Sequence, residues 1–598
     1  MSQLGRVVES VQDYNKFVAK QVERARADKA FAQPLVKRWR KIRENVETTT
    51  SPTGTVVPRL ALPLTDEAGE VARYIFGEGL PGEFPFANAA YREMYLEEKS
   101  EIQNPKSEGN PKAAKAAIVE EPMRLFAGLG LAEDTNERFH YLSKHQKSVR
   151  LSTAFDGVTL YGLDCDHEGV LGKVGEGGVS VSSVEDMERL YKGFDLADKN
   201  SSVSMTINAP APIILAMFVA AAKRRFGAGV AETLRGTIQA DILKEVQAQN
   251  EVIFPTEASL RFLTDMAEYT TTHMPRWYPI SISGYHIAEA GATPVQQAAF
   301  TLSNGFAYVE MFKARGMDVN QFGPRLSFFL DCGLDIEYLV LGRVCRRIWA
   351  IGMRDAFKAD TRAQVLKLHT QTSGRSLIAA EFKNNLTRTA VELMIAYMNY
   401  TNSCHSNSAD EPFTTPTEEY VRLASHGQSI ILEESGLFKY MMNAFGGSPG
   451  LQILERQVEA RILEVFSEIE RLGGVLAAQE QRYQRSQIQQ AAHAYETQIY
   501  STGQRPIIGL NKYASDEKIP DMPLSRTPLA KQKLAVARLR DFKRKNAKKS
   551  PAALQRLQNV CNSGGNVFAE LLNAVEVCSL GQITECLHGC VGKFRPMV

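Results

Sequence analysis

The chain has 598 residues, enough for several domains or for one large barrel with appendages at ~100 to 200 residues per domain. Its 70 Lys and Arg offset 68 Asp and Glu to a formal charge of +2, with 44% apolar and 23% charged residues. These values exclude disordered, collagen-like and coiled-coil classes, and a balance so near neutral lacks the broad positive field of a protein built around nucleic-acid backbones.

The most apolar stretch, residues 209 to 222, is interrupted by Pro210 and Pro212 and is shorter than the ~20 residues of a membrane span. The N-terminal residues alternate charged and apolar positions without the continuous apolar core of a signal peptide, so a cytoplasmic protein without membrane contact is expected. The eight cysteines (165, 332, 345, 404, 561, 578, 586 and 590) are sparse for a disulfide framework and are expected as free thiols.

In chain order, residues 1–65 read as an N-terminal arm for subunit contacts: one amphipathic helix with a basic stretch from Lys37 to Arg43, then a Thr-, Ser- and Pro-rich loop from Thr48 to Pro63. A catalytic domain is expected over 66–430. Within it, short apolar or alternating runs each precede a longer helical pattern, the rhythm of βαβ units. Eight runs qualify as strands: 151–155, 179–182, 202–207, 236–239, 278–283, 325–329, 365–371 and 403–408. The expected fold class is therefore α/β, a (β/α)8 TIM barrel. Residues 431–598 turn rich in Gln, Glu, Ala and Leu with helical periodicity and are expected to form a helical C-terminal region. Its run 531–549 holds nine Lys or Arg against one acid and reads as a solvated helix face or linker.

The strands are unusual for a barrel. Barrel interiors are normally filled with Val, Ile and Leu. Here Ser202-Val203-Ser204-Met205-Thr206-Ile207 alternates hydroxyl with apolar, Ser281-Ile282-Ser283 repeats it, and Ser152, Ser180, Ser182, Ser327, Ser403 and Ser406 extend it. With a period of two, one face of each strand is small and polar. Helices cover the outside of a barrel, so the hydroxyls are expected to point inward and to line an open polar channel that takes a long thin ligand end to end.

Four segments at the expected C-terminal ends of strands are dense in functional groups, the position where barrel enzymes keep their sites. They are Ser281-Ile-Ser-Gly-Tyr-His286-Ile-Ala-Glu289, Gln321-Phe-Gly-Pro-Arg325-Leu-Ser327, His369-Thr-Gln371-Thr-Ser-Gly-Arg375 and His405-Ser-Asn407-Ser-Ala-Asp-Glu411. With Met123-Arg-Leu-Phe-Ala-Gly128, the segments 202–208 and 236–250, and Arg505-Pro-Ile-Ile-Gly-Leu-Asn-Lys-Tyr513, they closely resemble the adenosylcobalamin-dependent acyl-CoA mutases, the family of methylmalonyl-CoA and isobutyryl-CoA mutases. In that family the barrel carries CoA down its axis past small hydrophilic side chains, which agrees with the channel inferred from the strands.

The resemblance implies roles residue by residue. His286 matches the histidine that hydrogen-bonds the substrate thioester carbonyl, and Tyr285 an active-site tyrosine beside corrin and substrate; these are the expected catalytic residues. Gln371, Asn407, Glu411 and Glu289 are expected on the cofactor, with Asn407 and Glu411 holding the adenosyl ribose. Arg124, Ser152, Ser204, Thr206, Arg325 and Ser327 match the CoA-binding set, Arg325 as a phosphate clamp, and Gln239 and His369 join them as substrate-binding positions. No metal site is expected from the chain itself. The cofactor would supply cobalt–carbon homolysis, hydrogen abstraction, a 1,2-shift of the thioester group and hydrogen return.

The family's carboxylated substrate is recognised by an arginine and a tyrosine; the matching positions here are Gln249 and Phe126. Burying a carboxylate without a cationic partner commonly costs several kcal/mol, so methylmalonyl-CoA is the least favoured substrate. The Phe and Gln pair resembles the isobutyryl-CoA branch, and the expected reaction is reversible conversion of isobutyryl-CoA to n-butyryl-CoA. Pivalyl-CoA and 2-hydroxyisobutyryl-CoA are the alternatives, since a methylene is worth only ~1 to 3 kcal/mol of discrimination. A further alternative is a non-catalytic paralogue that binds acyl-CoA.

The Asp-x-His-x-x-Gly that supplies the lower cobalt ligand in single-chain relatives is missing, as is a G-x-x-x-x-G-K-[ST] phosphate loop. The chain is expected to be a large, substrate-binding subunit that shares adenosylcobalamin with a separate small cobalamin-binding subunit, attended by a G-protein chaperone. Two weaker signals are read as structural: the glycines from Gly172 to Gly178 as a barrel turn, and Cys578, Cys586, His588 and Cys590 as one packed helix face rather than a zinc site.

Overall fold

The computed structural model describes residues 3–96, 124–144, 148–516 and 526–595, together with 521 and 524. Met123, which opens the first motif, lies outside the described residues. Eight parallel strand positions follow one another in sequence: β1 (Leu125–Ala127), β2 (Val149–Ala154), β3 (Ser201–Thr206), β4 (Gly236–Ile238), β5 (Trp277–Tyr278, continuing as Ile280–Ser283), β6 (Leu326–Cys332), β7 (Lys367–Thr372) and β8 (Ser403–His405). Each pairs with the next in sequence order. The ladder is interrupted twice, between β8 and β1 and within β5 at Pro279, which has no N–H to donate. The Ser281 N–H bonds to the Gln239 carbonyl at 3.0 Å and carries the pairing past that break, and the Arg124 N–H reaches the Cys404 carbonyl at 3.4 Å to join β1 to β8.

The register sets equivalent side chains level with one another. Ser152 is opposite Ser204, Ser204 opposite Thr237, Ser281 opposite Ser327, and His369 opposite Ser403. The alternate positions are apolar and meet the surrounding helices. Phe328 packs its ring 4.8 Å from that of Trp349 in the helix Leu341–Asp355, and Trp277 packs 5.4 Å from Phe218. In the helix Ala211–Phe226 every residue from 211 to 222 is buried, so a stretch apolar on all sides is a fully covered barrel helix. Among the described residues no helix is long and apolar enough to cross a membrane.

Two strand expectations are corrected. Residues 179–182 do not form a strand: Val179 makes a single bridge to Phe155, and the run leads into a helix, Val184–Leu190, that starts at Ser183. Val179 and Val181 are buried all the same, so their alternation reports burial and not pairing. The place in the barrel belongs to β1, three residues long and too short to show a period. The N-terminal segment is also two helices, Gln3–Ala27 and Lys29–Glu44, because the Asp28 carboxylate accepts from the Ala30 and Phe31 N–H groups and starts the second. The loop after them contains a short antiparallel pair, Thr48–Thr50 with Val56–Pro58.

The helix Gln3–Ala27 packs on Leu341–Asp355 and on Pro449–Arg471. Arg343 pairs there with Glu78 at 2.9 Å and with Glu455, and Arg347 bonds Asn15 Oδ1 at 2.6 Å and pairs with Glu459. The basic run is not a solvated face throughout. Its helix, Leu529–Asn546, lies across the start of the helix that follows β1 (Ala132–Ser143) and the loop that follows β2: Arg538 pairs with Glu133 at 2.6 Å, Lys531 with Asp134, and Lys543 with Asp164 and Asp166 at 2.9 and 2.7 Å. Further on, Cys578 is buried, and the Cys590 thiol, one helical turn past Cys586, lies 3.3 Å from its carbonyl oxygen.

Candidate active site

A cavity runs along the barrel axis from the N-terminal to the C-terminal ends of the strands. Its wall carries the inward hydroxyls Ser152, Ser202, Ser204, Thr206, Thr237, Ser281, Ser327 and Ser403. These small groups leave the axis open because each faces its neighbours in register. Ser283 lies outside this lining, and Ser406 borders a second cavity. At the N-terminal mouth four cations, Arg150, Arg235, Arg276 and Lys367, stand at or next to the starts of β2, β4, β5 and β7. Arg124 reaches inward and donates to the Ser204 hydroxyl at 2.6 Å. The mouth is thus cationic, and the polar middle receives one further cation of the lining, Arg124.

Toward the C-terminal end the wall is made by Phe126, Gln239, Phe329, His369 and Gln371. Ser403 Oγ lies 2.7 Å from His369 Nδ1, and burial, with Arg124 next, holds the imidazole well below its usual pKa, so it is neutral. Tyr285 stacks on Phe329 at 4.9 Å, and His286 stands edge-on to both rings. His286 is half-buried, with Nδ1 2.8 Å from the Ser283 hydroxyl, and burial followed by the nearby Lys244 charge keeps its pKa well below the usual value. Its Nε2 has no partner among the described residues. Asp241 fixes this corner: it accepts from the Ser283 N–H at 2.7 Å and from the Tyr308 hydroxyl at 2.6 Å.

Gln371 donates to the Tyr285 hydroxyl at 3.0 Å and to Asn407 Oδ1 at 2.6 Å, while Asn407 donates to the Thr372 carbonyl at 2.8 Å. Burial raises the Tyr285 pKa far above its ordinary value, so it stays a phenol. Glu289 accepts from the Gly374 N–H at 2.8 Å and Glu411 from the Ser408 N–H at 2.8 Å. Burial raises both carboxyls, that of Glu411 to about 7. The second cavity opens here, lined among others by Arg124, Phe126, Gln371, His405 and Glu411. Phe126 thus separates the two spaces, its ring 5.2 Å from that of His405.

The structure brings Phe126, Arg124, Ser152, Ser204, Thr206, Gln239, Ser327, His369 and Gln371 onto the axial cavity, and Glu411 onto the second. Tyr285, His286, Glu289 and Asn407 cluster behind Phe329 and Gln371. Two expected substrate residues stand apart from both linings. Arg325 turns its guanidinium to the Thr271 carbonyl at 2.6 Å, and Gln249 is exposed with Oε1 2.7 Å from Lys244 Nζ. The mouth cations escaped the sequence reading, although a basic residue recurs at or beside the starts of these strands. The buried pair Lys244 and Glu245 beside Gln239 escaped it as well.

A neutral imidazole, two amide side chains and an aromatic wall at the end of a cation-mouthed tube suit a long anionic ligand that ends in a small uncharged acyl group. Comparison with known proteins agrees with this chemistry. The family model described as Methylmalonyl-CoA mutase matches residues 120–593. The chain is 45% identical over 575 residues to the fused isobutyryl-CoA mutase of Geobacillus kaustophilus (strain HTA426), covering 92% of this chain and 51% of that protein. It is 37% identical to the 2-hydroxyisobutanoyl-CoA mutase large subunit of Aquincola tertiaricarbonis, covering 86% and 88%, and 34% identical to the methylmalonyl-CoA mutase large subunit of Streptomyces virginiae, covering 87% and 68%. The chain spans about half the length of the fused relatives it matches.

Proposed function

The chain belongs to the methylmalonyl-CoA mutase family, and on that premise we propose that it binds acyl-CoA and carries the active site of an adenosylcobalamin-dependent mutase interconverting isobutyryl-CoA and n-butyryl-CoA. The observation that carries the substrate is the acyl end of the axial cavity. Phe126 forms its wall, Lys244 behind Gln239 is paired with Glu245 at 2.5 Å, and Arg124 is engaged by the Ser204 hydroxyl at 2.6 Å. A carboxylated acyl group would have to displace one of these bonds to gain a cationic partner.

The residues at the C-terminal end fit the family's cofactor. His405 Nδ1 is buried without a partner on the second cavity, and the amides and carboxyls of Gln371, Asn407 and Glu411 present the donors and acceptors that ribose hydroxyls and amide side chains require. Adenosylcobalamin, when bound, supplies the radical chemistry of the rearrangement. Glu411 and Asn407 would hold its ribose, and Glu289 fixes the loop after β7 through the Gly374 N–H. A cobalamin-binding subunit or domain completes the site; the relative named as a large subunit supports a separate one.

The chain's own residues handle the substrate. Arg150, Arg235, Arg276 and Lys367 take the nucleotide phosphates at the mouth, and the hydroxyl-lined axis receives the pantetheine arm. His286 donates its Nε2 hydrogen to the thioester carbonyl and steadies the charge that gathers on that oxygen while the thioester group moves to the adjacent carbon. Phe126, Phe329 and Tyr285 keep water from the reacting carbons.

The test is conversion of isobutyryl-CoA by the purified chain with adenosylcobalamin and a cobalamin-binding partner, against 2-hydroxyisobutyryl-, pivalyl- and methylmalonyl-CoA. Preference for isobutyryl-CoA supports the reading. Preference for another acyl group overturns the substrate and retains the reaction class; acyl-CoA binding without turnover in the complete assembly leaves a non-catalytic binding protein.

A further inference from the structure

Lys244 and Glu245 adjoin in sequence, yet both are 0% exposed and pair with each other at 2.5 Å. Neighbouring residues on a helix do not ordinarily face one another. Here the helical segment beginning at Ile242 changes to a wider turn from Glu245, and a buried ion pair of this kind is costly unless further hydrogen bonds satisfy it. Those bonds lead to the cavity. Lys244 Nζ also donates to Gln239 Oε1 at 3.3 Å and to Gln249 Oε1 at 2.7 Å.

The orientation of the Gln239 amide is fixed twice over. The Asp241 N–H donates to Asn208 Oδ1 at 3.0 Å, which leaves Asn208 Nδ2 as the donor to Gln239 Oε1 at 3.0 Å and to Glu245 Oε1 at 2.5 Å. With Lys244 on the same oxygen, Gln239 Oε1 faces the buried network. Its Nε2, on a residue that lines the axial cavity, has no partner among the described residues.

We propose that Lys244 is a positioning residue: by holding the amide oxygen of Gln239 it presents Gln239 Nε2 to the acyl end of the cavity as a second hydrogen-bond donor for the thioester carbonyl, beside His286. Glu245 cancels the charge this requires, so the donor arrives without a net cation. The acyl end is polar toward the carbonyl and neutral toward the migrating group, and Lys244 sets both properties without touching substrate. Gln249 completes the shell around Nζ. This inference rests on the acyl-CoA reading of the cavity.

The test needs no cofactor. Isobutyryl-CoA labelled with carbon-13 at the thioester carbonyl is bound to the chain alone, and its carbonyl stretching band is read by difference infrared spectroscopy. In the wild type the band is displaced to lower frequency by the two donors. Lys244→Met with Glu245→Gln, which keeps the buried pair neutral, is expected to bind within about threefold of wild-type affinity and to lose part of the displacement, Asn208 Nδ2 still holding Gln239 Oε1 at 3.0 Å, and adding Gln239→Leu should remove the rest of the Gln239 share. Lys244→Arg, which keeps both charge and donors, should retain it. An undiminished displacement in the neutral pair, or loss as complete in Lys244→Arg, overturns the positioning role while acyl-CoA binding stands. Should the neutral pair not fold, Lys244→Arg alone decides the matter against Gln239→Leu. No acyl-CoA binding by the wild type overturns the functional reading and the proposal with it.

Discussion

Ser283 Oγ lies 2.8 Å from His286 Nδ1, on the side of the imidazole away from the unpartnered Nε2. Burial keeps this ring neutral, so it carries one hydrogen, and a thioester donor needs that hydrogen on Nε2. The Ser283 hydroxyl must then donate to Nδ1. Removing it in Ser283→Ala frees Nδ1 to take the hydrogen and turns the wrong tautomer toward substrate. The expected result is a kcat lower by about tenfold with KM little changed, whereas His286→Ala should cost about 10² to 10³ in kcat, as loss of a carbonyl-stabilising donor does elsewhere. Steady-state kinetics on isobutyryl-CoA checks both; a Ser283→Ala enzyme altered only in KM would remove the tautomer from the mechanism.

Charge selection at the acyl end follows from Lys244 being spoken for. A methylmalonyl group would bring a carboxylate beside Phe126 and a cation already paired at 2.5 Å. An uncompensated carboxylate costs several kcal/mol, and each ~1.4 kcal/mol is a factor of ten. The ratio of kcat/KM for isobutyryl-CoA over methylmalonyl-CoA should therefore exceed about 10². Comparable values for the two would mean that Lys244 exchanges Glu245 for substrate.

How much of this was legible beforehand depended on whether a feature was local. The alternation from Ser202 to Thr206 announced both a strand and its polar inner face, because period two is written in consecutive residues. Leu125–Ala127 is as essential to the barrel but too short to show a period, and Val179 with Val181 imitates a strand by being buried in a loop. His286, Tyr285, Gln371, Asn407 and Glu411 stand in dense motifs at strand ends, and the structure gathers them at one end of the barrel. Side-chain direction was not legible. Arg325 sits in such a motif yet bonds the Thr271 carbonyl, and the cations of the mouth come from four separate strands that only the closed barrel brings together.

Those mouth cations give a binding prediction. Arg235→Ala with Arg276→Ala removes two charges from the N-terminal end, far from His286. KM for acyl-CoA should rise by about tenfold with kcat nearly constant, since phosphate contacts contribute equally before and during the reaction. The effect should weaken as ionic strength rises. A short thioester such as the N-acetylcysteamine ester has no nucleotide phosphates, so its KM should not respond to the substitutions; an equal rise would mean the variants disturb the barrel and not a phosphate site.

Asp156 offers a test of the fold itself. Its carboxyl is fully buried after β2, accepting from the Thr159 N–H at 2.8 Å, the Thr159 hydroxyl at 2.6 Å and the Gly175 N–H at 2.7 Å. These bonds favour the carboxylate, but burial outweighs them and raises its pKa from 3.8 to about 6. A raised carboxyl pKa stabilises the fold through the protonated form: the contribution is complete below the unfolded value and is lost as pH climbs through the folded one. Two units correspond to about 3 kcal/mol, lost between about pH 4 and pH 6. Asp156→Asn removes the titration while keeping one acceptor. The wild type should therefore lead the variant by more at pH 5 than at pH 7, with the melting-temperature difference narrowing as pH rises. A difference that widens instead would mean that the three hydrogen bonds prevail over burial and that Asp156 is ionised throughout.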